Sequence, residues 1–100
     1  MDDAGIPALV DAIKHHHGLD ATWVESVLVR ETHEGAVVWD GEVQVFDVKG
    51  HPKATRCYAW SYATTGAKRR FVAVLGAPPV DSPRKAVQVE ILAVAKRAQN

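Results

Sequence analysis

The stretch Val37-Val38-Trp39-Asp40-Gly41-Glu42-Val43-Gln44-Val45-Phe46-Asp47-Val48 decides the fold. Side chains of an extended chain alternate between two faces, so Val37, Trp39, Gly41, Val43 and Val45 share one side and Val38, Asp40, Glu42 and Gln44 the other. An apolar side backed by a largely polar one is the pattern of a half-buried strand in an antiparallel sheet. Phe46 and Val48 break the alternation by adding apolar bulk to the polar side. That requires either a bulge near Val45–Phe46 or a second layer of core beneath that end of the strand. Asp40-Gly41 is a hairpin pair in many sequences, but here the valine alternation continues through it and the piece before it is very short.

On the N-terminal side, residues 22–32 are rich in β-branched side chains and read as the preceding strand, joined to the central one through His33-Glu34-Gly35. Before it, Ile6, Leu9, Val10 and Ile13 form one helical stripe, predicting a helix over 6–17 with Pro7 in its first turn and Gly18 just past its end. On the C-terminal side, residues 49–53 form a loop. Residues 55–64 form a third strand with Tyr58, Trp60 and Tyr62 on one face and Cys57, Ala59, Ser61 and Ala63 on the other. A short fourth strand over 69–75 is apolar after Arg70. Ser82 is a good N-cap for a closing helix over 83–97 with a stripe of Val87, Ile91, Val94 and Ala98, widened by Leu92 and Ala95.

The elements therefore predict one α+β domain of order α-β-β-β(-β)-α: a two-layer sandwich, with an antiparallel sheet and both helices on one face. Strands one, three and four carry apolar residues on both sides, so a sheet face left open would be a partner or dimer surface.

One hundred residues suit a single domain. No apolar run is long enough to span a bilayer, the acidic start lacks the pattern of a secretory signal, and the lone Cys57 fits a reducing compartment. The expected setting is the cytoplasm, with no membrane partner. A net charge of zero hides an asymmetry: ten acids and three bases in residues 1–50, two acids and nine bases in 51–100. Such halves either neutralise each other in the fold, the favoured reading because sequential strands pair, or create a basic binding face.

Candidate chemistry is sparse. His15, His16 and His17 project about 100° apart around a helix and cannot converge on one ion. Cys57 and His51 have the composition of a nucleophile–base pair, but a lone strand cysteine is more often a small buried hydrophobe. No phosphate-binding glycine loop, serine elbow or zinc-protease motif is present. The chain thus reads as non-enzymatic, without metal or cofactor. Tyr58, Trp60 and Tyr62 are a base-stacking platform if exposed beside Arg56, Lys68, Arg69 and Arg70, and core if they face a helix; exposed aromatic stripes are uncommon, which favours core.

Two resemblances add to this. Val38-Trp39-x-Gly41-x-Val43-x-Val45-Phe46, Gly50-His51-Pro52-x-Ala54, Cys57-Tyr58-Ala59-Trp60 and Pro79-Val80-x-Ser82-Pro83 resemble a family of short bacterial proteins to which no activity is assigned. The topology resembles the double-stranded RNA-binding domain, whose helix–sheet–helix unit has both helices on one sheet face and reaches RNA through the first helix, a His-containing hairpin loop and a basic start of the second helix. His33 and the Ser82-x-Arg84-x-Ala86 string correspond to those features; Pro83 and Val87 stand where that family has lysines. The first expectation is an interaction domain for a protein partner or a second copy of the chain, using a sheet face or the 49–56 loop. The alternative is a nucleic-acid binder using His33, Lys53, Arg56, Lys68, Arg69, Arg70, Arg84 and Lys85.

Overall fold

The computed structural model describes residues 5–63, 66, 69–78 and 80–98, with residues 63 and 95–98 as backbone only. Its elements are α1 (Gly5–His17), β1 (Asp20–His33), β2 (Ala36–Lys49), β3 (Arg56–Ala63), β4 (Arg69–Leu75) and α2 (Pro83–Ala98). The strands form one antiparallel sheet in the order β1-β2-β3-β4. Class and element order are those the sequence predicts.

Local chemistry sets the joints. Gly18 ends α1 in the left-handed region (φ 70°), with its N–H donating to the Lys14 carbonyl at 2.8 Å. Glu34 and Gly35 both have positive φ, the requirement of a two-residue turn whose twist matches the strands it joins. Ser82 caps α2: its Oγ accepts from the Lys85 N–H at 3.2 Å.

The placement of the helices corrects the two-layer expectation. On the first sheet face, Leu9 and Ile13 of α1 pack in one core with Leu19, Phe46, Val48, Cys57 and Ala59. On the second, Ala86 and Val87 of α2 pack with Val29, Val43, Val45, Tyr58, Trp60 and Val72. Neighbours along β2 and β3 alternate between these two cores, so the helices lie on opposite faces and the sheet is the middle of three layers. Val43, Val45, Phe46, Cys57 and Ala59 are all essentially inaccessible. A sheet apolar on both sides cannot be roofed by two helices on one side. Sealing Phe46 alone is worth about 2–3 kcal/mol. Phe46 and Val48 thus mark a second core layer, and the likeness to the double-stranded RNA-binding domain does not extend to helix placement.

One bulge does fall at Val45–Phe46, but in the partner strand β1, and a second lies farther along the ribbon. Val24 is an extra residue in β1, since Trp23 pairs with Phe46 and Glu25 with Val45. Val38 is an extra residue in β2, since Glu31 pairs with Trp39 and Thr32 with Val37. The second bulge takes Val37 out of the buried row, where the alternation had placed it, and leaves it exposed. Leu92, expected to widen the α2 stripe, is also exposed, at 70 %.

Candidate docking groove at the sheet fork

The sheet forks. Register between β2 and β3 runs from Asp47↔Arg56 to Gln44↔Ala59 and stops there among the described residues. Beyond that point β2 continues toward Ala36 paired with β1, and β3 continues to Ala63 paired with β4. The long β1–β2 ribbon peels away from the β3–β4 ribbon, as the strong twist of two-stranded ribbons favours.

Each face of the fork holds a cavity. On the α2 face a groove of about 440 Å³ runs between the helix and the fork, lined by Val38, Trp39, Trp60, Tyr62, Val87, Glu90, Ile91 and Val94. Its floor is the edge-to-face pair Trp39–Trp60, with ring centroids 5.6 Å apart and planes at 72°. Gly41 makes room for this pair: a Cβ there would come within 3.3 Å of the Trp39 ring. The groove walls are open, with Tyr62 40 %, Val94 45 % and Val38 50 % exposed. At the β1 end of the helix, Glu31 is buried and accepts from Arg84 Nε at 2.8 Å and Gln88 Nε2 at 3.1 Å. This charge-assisted clamp fixes α2 over β1.

On the α1 face a second cavity, about 570 Å³, is lined by the start of α1 (Gly5, Ile6, Ala8, Leu9), by Glu42, Gln44 and Ser61, and by Arg69 and Phe71. Its lining is mixed. Arg69 Nε and Nη2 donate to Ser61 Oγ at 3.2 and 3.0 Å. Gln44, expected on the wet side of β2, is buried, its Oε1 accepting from Trp23 Nε1 (2.9 Å) and from Ser26 Oγ. Burial without those donors would cost about 1–3 kcal/mol.

The aromatic row expected in β3 divides. Tyr58 and Trp60 are buried beneath α2, and Tyr62 stands at the groove mouth. Burial raises the Tyr58 hydroxyl pKa, opposed by nearby Arg56 and reinforced by Asp81. The basic candidates do not gather. Lys53 and Arg56 lie at the β2–β3 loop end of the sheet, His33, Arg69 and Arg70 at the end carrying the other two turns. Arg56 is paired with Asp47 (3.0 Å) and Arg84 with Glu31 (2.8 Å). Arg70 and Lys85 are exposed, and Lys68 lies outside the described residues.

Cys57 and His51 serve the scaffold. The thiol is sealed in the α1-face core, and burial pushes its pKa up to about 12. His51 Nδ1 accepts from the Lys53 and Ala54 amides at 3.0 and 2.8 Å, shaping the loop. His17 Nε2 lies 3.0 Å from the Ala73 carbonyl, while His15 and His16 are exposed. Among the described residues no group of three or more His, Cys, Asp or Glu side chains could hold a metal ion, and no helix is long and apolar enough to cross a membrane.

Sequence reasoning missed Trp39, Ile91 and Val94 as site residues because each reads as ordinary core. The aromatic two residues before Gly41 was the available signal, since a glycine on the same strand face leaves room for a neighbouring ring. Compared with protein-family models, with curated proteins and with solved structures, the chain matches none.

Proposed function

We propose that this chain is a non-enzymatic protein-interaction domain whose partner docks in the groove between α2 and the sheet fork. The observation that carries this reading is the coincidence of open apolar walls, at Val38, Tyr62 and Val94, with a rigid aromatic floor. Contiguous apolar surface of this kind is where soluble proteins bind partners, and aromatic anchors in a preformed groove supply most of the binding energy in such contacts. A reducing compartment such as the cytoplasm suits the single buried thiol.

The test is affinity capture from host lysate with three baits: wild type, the double variant Tyr62→Ser/Val94→Ser, and a control variant Lys53→Glu at the far end of the sheet. A specific partner should be held by wild type and control and lost by the groove variant. Equal retention by all three would refute the assignment. Light scattering on the wild-type chain reports whether the partner is a second copy.

A further inference from the structure

The direction of the main-chain groups at the fork narrows the kind of partner. In antiparallel sheets alternate residues point their N–H and C=O to opposite neighbours. Gly76 N–H donates to the Arg56 carbonyl at 2.7 Å, on the β4 side. Along β3, even-numbered residues therefore address β4 and odd-numbered ones address β2. Val48 N–H donates to the Thr55 carbonyl at 3.0 Å, so even-numbered residues of β2 address β3. Carried forward, this phase aims the main-chain groups of Ser61 and Glu42 into the fork, where no register pair joins them. Both residues line the α1-face cavity.

The fork is thus flanked by two strand edges. It has an apolar groove on one face and, on the other, a cavity of mixed lining that carries one acid, Glu42, and one base, Arg69. A strand has the matching symmetry: main-chain groups along both edges and side chains alternating between faces. We propose that the fork receives an extended peptide segment of a partner protein. The segment bonds through its main chain to Ser61 and Glu42, sets apolar side chains against Trp39, Tyr62 and Ile91, and sets alternate polar side chains toward Glu42 and Arg69. This is strand addition within a split sheet rather than at an outer edge. It rests on the groove reading above and specifies the chemistry of the occupant.

The probes are three fluorescein-labelled, end-blocked peptides of about eight residues, the length of a typical strand. The first alternates valine with glutamate and lysine. The second has the same composition with the valines in one block. The third is the first with alternate amides N-methylated, on the set that would face Ser61. Fluorescence anisotropy should show saturable binding of the first, with Kd at least about tenfold weaker for each of the other two. Amide exchange read by NMR should slow at Ser61 when the first peptide is bound. Equal affinity for all three peptides, absence of binding by any, or binding without slowed exchange at Ser61 would overturn the proposal. Failure of the groove reading is recorded separately, as unchanged capture by the Tyr62→Ser/Val94→Ser bait. Partner loss by that bait with no strand peptide bound removes strand addition and leaves the groove.

Discussion

Cys57→Ala should make the protein less sensitive to alkali, by an amount the structure sets. The thiol is fully buried, with its pKa raised from the ordinary 9.0 to about 12 by loss of hydration. In the unfolded chain it ionises near 9, and in the folded chain it stays protonated. The unfolded state therefore binds fewer protons between these values, and folding free energy is lost as pH rises through that window and is intact below it. At about pH 10.5 the unfolded thiol is some thirtyfold more thiolate than thiol, which weakens folding by about 2 kcal/mol relative to pH 8. Alanine cannot ionise, so the variant lacks this loss, while lysines and tyrosines titrate alike in both proteins. Urea unfolding of wild type and variant at the two pH values gives a double difference that cancels those shared effects. A value near 2 kcal/mol in favour of the variant at high pH is expected. A difference below about 0.5 kcal/mol would mean that the first sheet face is open to water and α1 does not cover it.

Three further outcomes follow from named contacts. Arg84→Met leaves the buried Glu31 carboxylate with Gln88 as its remaining partner at that clamp; because the arginine is itself largely exposed, a loss of about 1–2 kcal/mol in urea unfolding is expected. His51→Ala removes the acceptor for two loop amides and should cost about 1 kcal/mol and speed hydrogen exchange at Lys53 and Ala54; His51→Asp, which can accept in the same sense, should restore most of it. Duplex RNA at low salt should show no saturable binding in a mobility shift, since Lys53 and Arg56 lie at the opposite sheet end from Arg69 and Arg70, and Arg56 and Arg84 are already paired; tight, steeply salt-dependent binding would contradict this.

Much of the scaffold was legible. Every element was placed within two residues of its observed ends, because period-two and helical stripes are local properties of the chain. The α1 stripe of Ile6, Leu9, Val10 and Ile13 packs as its spacing required. Helix placement was not read correctly, although the signal was present in Phe46, Val48, Cys57 and Ala59. Those side chains crowd the sheet face that a two-layer fold would leave wet, and only a helix on that face can cover them. The bulges at Val24 and Val38 had no glycine or proline to announce them. Neither did the fork, which follows from the twist of a long ribbon, nor the Trp39–Trp60 contact across it. Both are set by chain geometry over many residues, so the candidate site emerged only when the strands were in place.

The fold is a sheet clothed by one helix on each side. Methyl-to-aromatic nuclear Overhauser contacts test this most directly. Ile13 should report the Phe46 side and Val87 the Trp60 side, with no cross-peaks between the two sets. Cross-peaks placing Ile13 against Trp60, or Val87 against Phe46, would put both helices on one face and contradict it.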